Sequence, residues 1–350
     1  MAPLDDPFNP YKDLYAHPAG PGDARPTARQ VLADCTTLGS SSTTNPWIGR
    51  VILVTGGTAG VGLETAAAVK ARILEEDDGS GSSSRGKLEF LEMNLESLDS
   101  VRAGTREFLS RSGRLNVLIN NAGIIHGVYT RTEDGFESHF GVNHLAHYLL
   151  TRLVLPALEA SSSPQFQSRV INLSSTGHNQ SSVRLDDYNL EGSTKDQDGD
   201  QDGDKAARPP PFDYWVAYGQ SKTALIWTAN HIDRVYGPRG VHALSVHPGI
   251  ILTNLASFLS EEERRALEAN EKTRAHRATA EQGAATTVWA AAGDVWEGKG
   301  GKYLLHCSVA EVGGDDDGFP LSLAAGEYAY DPEGEEKLWK LSAKLVGVEE

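Results

Sequence analysis

The chain has 350 residues, of which 32 are lysine or arginine and 48 are aspartate or glutamate, so its net charge is −16. This acidic balance disfavours nucleic acid or an anionic membrane surface as the main partner. The hydrophobic share of 39% and the charged share of 23% exclude a globally disordered chain. No run approaches the roughly 18 apolar residues of a membrane span, and the first residues lack the basic and apolar stretches of a secretory signal. The sequence therefore predicts a soluble, cytoplasmic, globular protein.

Residues 1–47 are rich in proline and end in a run of serine and threonine, which predicts an irregular N-terminal arm with one short helix near residues 27–34. Residues 48–346 are predicted to form one domain. Apolar, β-branched runs alternate there with helical stretches, which favours an α/β fold with a parallel sheet covered on both faces. The predicted strands are residues 51–54, 115–119, 169–173, 241–246 and 302–305, and the predicted helices include 63–74, 141–158 and 218–235.

Nothing in the sequence predicts a bound metal. Cys35 and Cys307 are too few for a zinc site or a disulfide framework. An acidic insertion at about 181–211 contains a stretch that begins like a calcium loop, but Pro209 stands where that loop needs a bidentate glutamate. With eight acids against two lysines in residues 186–205, the insertion is interpreted as a solvated loop. Part of a substrate lid is the alternative.

A glycine-rich turn, TGGTAGVG at residues 55–62, follows the first predicted strand and opens a helix. Glycines let the backbone approach a pyrophosphate, whose charge the amides at a helix N-terminus stabilise. Turns also need glycine for purely structural reasons, so the motif alone is weak. Its place between a strand and a helix favours a dinucleotide site.

Tyr218 and Lys222 are four residues apart and therefore share one face of a predicted helix. An ammonium beside a phenol favours the phenolate and lowers the tyrosine pKa, which makes Tyr218 a candidate general acid/base. A surface pair is the other interpretation. Ser174 and Ser175 end a buried strand, at the edge where open α/β sheets bind their ligands.

Taken together, these motifs resemble those of the short-chain dehydrogenase/reductase superfamily over most of residues 50–346. Residues 143–151 and 246–255 are most similar to the branch of retinol dehydrogenases and WW-domain oxidoreductases. Residues 20–32 and 328–347 resemble fungal members, many of which belong to natural-product pathways. The matching motifs, in the order of the family, are TGGTAGVG at 55–62, NNAG at 120–123, Asn143, NLSS at 172–175, YGQSK at 218–222 and HPG at 247–249.

The resemblance implies a single Rossmann-like, doubly wound domain and an NAD(P)(H)-dependent oxidoreductase. Its substrate would be a ketone or secondary alcohol of a hydrophobic, polyketide-like metabolite. In this interpretation Tyr218 is the general acid/base, and Lys222 lowers its pKa and holds the nicotinamide ribose. Ser175, preferred to Ser174, binds the substrate oxygen, and Asn143 anchors a water of the proton relay.

The resemblance also implies the remaining binding residues. NADP(H) is favoured over NAD(H) by the branch alone, and residues 252–282 would cover the substrate. The oligomeric state stays open, with a homodimer through the helices of Asn143 and Tyr218 as one option. The implied cofactor contacts are Gly56, Gly60, Val61, Gly62, Asn94, Asn121, Ala122, Gly123, Tyr218, Lys222, Pro248, Ile251 and Thr253.

The chain departs from the family between the glycine turn and the third strand. Residues 63–93 hold a helix, the polar stretch 75–86 and an alternating strand at 87–93, whereas a full unit needs roughly forty residues. The second strand is therefore predicted to be missing, and with it the acid or arginine that reads the adenosine ribose. Asn94 also stands where the family usually has an aspartate.

Three explanations of this atypical segment are open. The gene model is incomplete, or Arg72 and Arg85 compensate for the lost strand, or the pocket no longer uses a dinucleotide. The third explanation predicts a cofactor-independent isomerase, cyclase or dehydratase, with Tyr218 and Ser175 as proton donor and oxyanion stabiliser. A non-catalytic binding protein is disfavoured because Asn143, Ser175, Tyr218 and Lys222 are all present.

Overall fold

The computed structural model describes residues 6–38, 49–75, 87–193, 212–252, 261–313 and 323–349. One six-stranded sheet, in the order β1-β2-β3-β4-β5-β6, forms its centre. The first five strands are parallel, and β6 pairs antiparallel with β5. Their bounds are β1 Ile52–Val54, β2 Val117–Asn120, β3 Ser168–Leu173, β4 Val241–Val246, β5 Lys302–Leu305 and β6 Ser308–Val309.

Every residue of β2, β3 and β4 is buried, as a parallel sheet with helices on both faces requires. The five strands predicted from apolar runs are present, so the predicted α/β class and Rossmann-like, doubly wound architecture are confirmed. The α-helices of the described residues are α1 Lys12–Tyr15, α2 Ala28–Leu38, α3 Gly60–Glu75, α4 Leu98–Arg111, α5 Ala146–Ser161, α6 Tyr214–Tyr236, α7 Glu261–Ala269, α8 Glu271–His276, α9 Ala280–Ala292 and α10 Pro332–Val346.

Two hydrophobic clusters hold the helices against opposite faces of the sheet. Helices α4, α5, α6 and α10 pack in one cluster, and α2, α3 and α9 pack in the other. The 23 residues of α6 begin where the Asp213 carboxylate accepts hydrogen bonds from the amides of Trp215 and Val216. None of the described helices combines the length and the apolar character needed to cross a membrane.

The N-terminal arm is more ordered than its composition predicts. The helix expected near residues 27–34 is α2, which runs to Leu38. Val31 and Leu32 are buried beside α9, whose alanine-rich face leaves room for a close neighbour. Most of residues 6–27 lie outside helices, as expected of an irregular arm, but α2 packs into the hydrophobic core instead of resting on the surface. Burial of the apolar side chains on one face of α2 lowers the free energy of the folded chain, and this outweighs the helix-breaking tendency of the flanking prolines.

No described strand pairs with the outer edge of β1, where the sequence predicts a missing strand. The strand predicted at residues 87–93 is wrong, because the structure has no strand there. A groove of about 290 Å³ lies between this stretch and β1 and is lined by residues of both. The backbone of residues 87–93 therefore forms no strand hydrogen bonds with β1. Leu91 and Met93 still pack on the core. Arg85 lies outside the described residues.

Candidate active site

The predicted site residues follow the strands of the sheet at one edge. Thr55 comes directly after β1, Asn121 after β2, and Ser174 after β3, while His247 follows β4. Because these strands are parallel, their carboxyl ends meet at the same edge, which is where open α/β sheets bind ligands. The edge is held together by hydrogen bonds, since the Thr55 hydroxyl accepts from the amides of Asn121 and Ala122 at 2.9 and 3.0 Å.

The glycine turn is shaped by close backbone approaches. Gly56 has a φ of +64°, and Gly60, with a φ of +53°, begins α3 together with Val61. At Gly62 a β-carbon would lie 2.3 Å from both the Asn121 amide nitrogen and the Gly56 carbonyl oxygen. A helix start next to a glycine turn is the kind of position at which backbone amides stabilise an anionic phosphate.

The substitution Gly62→Ala is therefore expected to weaken NADPH binding at least about tenfold, because backbone atoms must move to admit the methyl group. The measurement is a titration followed by quenching of tryptophan fluorescence. Gly57→Ala is the matched control, since its β-carbon would come no closer than 3.7 Å to its neighbours. Equal affinities of the two variants would contradict a nucleotide role for this turn.

The hydroxyl groups that the sequence predicts to be catalytic come together where β3 meets α6. Tyr218 is only 7% exposed and forms a side-chain hydrogen bond with Ser175. Ser175 Oγ also accepts the amide of Gly177 at 3.0 Å. Ser174 points the other way and donates to the Lys222 carbonyl oxygen at 2.8 Å. Ser175 is thus the serine of this pair that contacts Tyr218.

Lys222 is buried under the same edge. Its ammonium donates to the Leu173 carbonyl oxygen at 2.8 Å and lies 5.4 Å from the centre of the Tyr218 ring. A β-carbon at Gly123 would be 3.4 Å from the ammonium nitrogen, so this glycine opens the space in front of it. Burial lowers the pKa of Lys222 to about 7, since little water solvates the charge.

The expected effect on Tyr218 is corrected by the structure. Burial raises the pKa of Tyr218 to about 12, and the hydrogen bond with Ser175 lowers it only in part. The nearby ammonium was expected to lower the pKa of Tyr218. Loss of water around the phenol raises this pKa and has the larger effect. Tyr218 is therefore protonated at neutral pH and suited to donate a proton.

Asn143 lies in a π-helical segment, Phe140–Leu145, that leads into α5. Its side chain accepts from the Ile124 amide at 2.8 Å and donates to the Ile124 carbonyl and the Ser221 hydroxyl at 3.0 Å each. The wider turn of a π-helix often marks a functional position. Asn143 thus joins the segment after β2 to the helix that carries Tyr218.

The HPG segment is joined to the serine loop, because His247 Nδ1 accepts the Thr176 amide at 3.2 Å. The carbonyl of Pro248 and the side chain of Ile251 lie against Gly283 at the start of α9. Thr253 lies outside the described residues. Asn94 is exposed and serves its own turn, in which its side-chain oxygen accepts the Glu96 amide at 3.0 Å.

Sequence reasoning missed a buried pair beside the catalytic tyrosine. Glu137 and His139 are both fully buried, and the ring of His139 lies 6.2 Å from that of Tyr218. His139 Nε2 accepts the His126 amide, so Nδ1 carries the proton and donates to Glu137 at 2.6 Å. Their spacing matches no familiar motif, so only the folded chain reveals them.

The beginning of the acidic insertion is packed instead of solvated. Leu190 is 1% exposed, and the Asn189 side chain accepts the Glu137 amide at 2.9 Å. The Tyr188 carbonyl accepts from Gln220, two residues from Tyr218. Residues 188–190 therefore pack near Tyr218, which corrects the expectation of a solvated loop for these three residues. Residues 194–211 lie outside the described chain.

The chain is similar to several known proteins. The family model for short chain dehydrogenase matches residues 50–189. The chain is 40% identical to the short-chain dehydrogenase/reductase prx1 of Penicillium rubens, over 97% of its own length and 96% of that protein. It is 32% identical to retinol dehydrogenase 12 of Mus musculus, over 89% and 91% of the two chains. It is also similar to the solved structure of an uncharacterized protein from Mycobacterium paratuberculosis, with a TM-score of 0.58, 27% identity and coverage of 87% and 95%.

Proposed function

The chain belongs to the short-chain dehydrogenase/reductase family, and from this premise we propose that it reduces the ketone of a hydrophobic metabolite to a secondary alcohol, with NADPH as the reductant. The observation that carries the proposal is the convergence of the Tyr218 hydroxyl, the Ser175 hydroxyl and the Lys222 ammonium beside the glycine turn. A protonated phenol at neutral pH favours the reductive direction, in which the substrate oxygen needs a proton.

In the proposed mechanism Ser175 and Tyr218 donate hydrogen bonds to the carbonyl oxygen and fix its position. The nicotinamide supplies the hydride when it is bound. Tyr218 gives its proton to the oxygen as negative charge develops there. The Lys222 ammonium stabilises the phenolate that remains, and its burial strengthens that interaction.

The residues present fit the phosphate and nicotinamide parts of such a cofactor. The glycines at 56 and 62 let the turn pack closely on Asn121 and Ala122 before the start of α3, as a phosphate-binding turn requires, and Gly123 leaves space before Lys222. At the adenosine end the described residues include no strand on the outer edge of β1, and Ala59 supplies no basic side chain. The preference for NADPH over NADH therefore rests on the resemblance to the retinol-dehydrogenase branch.

A hydrophobic, fused-ring or polyketide-like substrate suits the walls of the site. The ring of Trp215 lies 6.3 Å from that of Tyr218, and Tyr214 packs against it at 5.3 Å. Aromatic walls favour flat or apolar ligands. One of the relatives is a retinol dehydrogenase, and retinol is a hydrophobic alcohol.

A reaction without a nucleotide is the second candidate, because no described strand borders β1 where the family reads the adenosine ribose. Tyr218 and Ser175 would then act as proton donor and oxyanion stabiliser in an isomerisation, cyclisation or dehydration.

The test offers NADPH or NADH together with all-trans-retinal, a decalone or an aromatic ketone, and follows the loss of reduced-nicotinamide absorbance. We expect turnover that is faster with NADPH than with NADH. If the folded protein binds neither nucleotide at about millimolar concentration, the reductase proposal is overturned in favour of the second candidate. A dissociation constant in that range corresponds to only about 4 kcal/mol of binding free energy.

A further inference from the structure

Arg25 of the N-terminal arm is buried, with only 4% of the residue exposed. Its Nε donates to both carboxylate oxygens of Asp23, at 2.8 and 3.0 Å. Its two Nη groups donate to the carbonyl oxygens of His276 and Arg277, where α8 ends. A planar, permanently charged guanidinium spreads five donors over three nitrogens and can bind a carboxylate and several carbonyls at once, whereas a lysine has only three donors on a single nitrogen.

Residues near Arg25 add further hydrogen bonds between the arm and helices α8 and α9, and we call this set of contacts the arm joint. The Gly20 amide donates to the Ala275 carbonyl at 3.0 Å. Gln282, in the first turn of α9, accepts the Gly22 amide and donates to the carbonyls of Asp23 and Arg25. The arm therefore binds both the end of α8 and the start of α9.

A second contact joins the arm to α8. The rings of Tyr15 and His306 stack at 4.6 Å, and His306 in turn lies parallel to His276 at 6.2 Å. His306 and Cys307 both have a positive φ, at 55° and 52°, in the tight turn between β5 and β6. Such a turn is strained without glycine and persists only when its surroundings hold it.

The end of α8 is connected to the catalytic edge through the backbone. Arg277 pairs with Ile250, and the Ala278 amide donates to the Ile250 carbonyl at 2.9 Å. Ile250 directly follows the HPG segment, whose His247 contacts the residue after Ser175. A displacement of the end of α8 would therefore be transmitted to the HPG segment and to the loop that follows Ser175.

We propose that Arg25 is a positioning residue for substrate binding: through the carbonyls of His276 and Arg277 it fixes the end of α8, within the stretch 252–282 that the family resemblance expects to cover the substrate. The arm lies outside the part of the chain that the family model matches. The proposal rests on the proposed function, since it names what sets the substrate affinity of that site.

The experiment compares wild type, Arg25→Lys, Tyr15→Leu and the control Arg29→Lys, whose arginine is exposed on α2. Amide hydrogen exchange is measured in peptides covering residues 271–278, with β3 as the internal reference for global stability. Steady-state kinetics use NADPH and all-trans-retinal, and NADPH affinity is measured separately.

We expect exchange in residues 271–278 to become about tenfold faster in Arg25→Lys, because charged hydrogen bonds that oppose local opening are lost. KM for retinal should rise about fivefold, a modest loss of binding, while kcat and NADPH affinity stay within about twofold. Tyr15→Leu should change exchange in the same direction without disturbing the buried cation. Arg29→Lys should match the wild type.

If amide exchange in residues 271–278 is unchanged in both Arg25→Lys and Tyr15→Leu, the arm does not hold the end of α8 in place, and the proposal is overturned. Faster exchange with an unchanged KM would overturn the role in substrate binding while the arm joint stands. A wild-type protein that turns over no carbonyl would refute the proposed function, and the exchange result would still decide whether Arg25 fixes α8.

Discussion

Replacement of Tyr218 by phenylalanine is expected to lower kcat for carbonyl reduction by about 10²–10⁴-fold, the usual contribution of a general acid. The change removes one hydroxyl and keeps the ring, which is buried beside Trp215 and His139. NADPH affinity should stay close to that of the wild type, because the residues at the glycine turn are untouched. Single-turnover kinetics at saturating NADPH measure the effect on the chemical step.

Tyr236→Phe is the matched control, since it removes a phenol oxygen from the last residue of the same helix. It should retain wild-type kinetics. If Tyr218→Phe keeps full activity, the assignment of the proton donor is wrong.

The second large effect is expected at Lys222. Lys222→Met should lower kcat by about 10²–10³-fold, the usual effect of removing a group that stabilises charge in the transition state. Among the described residues, Lys222 is the cation found over the Tyr218 ring. The thioether fills the space of the lysine stem but carries no charge. Rates of ketone reduction at saturating NADPH provide the measurement.

The pH dependence follows from the direction of the two shifts. Burial lowers the pKa of Lys222 to about 7, so its ammonium is present below that pH and is lost as the pH rises. Tyr218, with its pKa raised to about 12, keeps its proton across the same range. The reductive kcat/KM should therefore decline above about pH 7 through loss of the lysine charge.

The same decline should disappear in Lys222→Met, whose low rate should be level through neutral pH. Lys344→Met removes an exposed lysine of α10 and serves as the control with an unchanged profile. A decline near pH 7 that persists without Lys222 would assign it to another group and contradict this role.

Local patterns in the sequence predicted most of the scaffold. Continuous apolar runs gave the correct positions of β1 to β5, because a strand buried on both faces admits few polar residues. The spacing of Tyr218 and Lys222 predicted a shared helical face, and a lysine over the tyrosine ring is found there. These features depend on neighbours in sequence.

The errors occurred where distant segments decide the outcome. The alternating pattern of residues 87–93 resembles a strand, but a strand needs a partner, and a groove lies between this stretch and β1. The proline-rich arm has the composition of an irregular segment, but α9 offers an apolar surface that buries Val31. Neither partner is visible in the local sequence.

The sequence by itself determined the α/β class through the periodicity of its apolar runs. Its motifs, by their resemblance to a known family, determined the family and the set of candidate catalytic side chains. Only the tertiary structure decided that the Glu137–His139 pair lies beside Tyr218 and that Arg25 holds the end of α8. It also decided the protonation of the site, because burial raises the pKa of Tyr218 and lowers that of Lys222. Burial and long-range contacts are properties of the packed chain, and no local pattern encodes them.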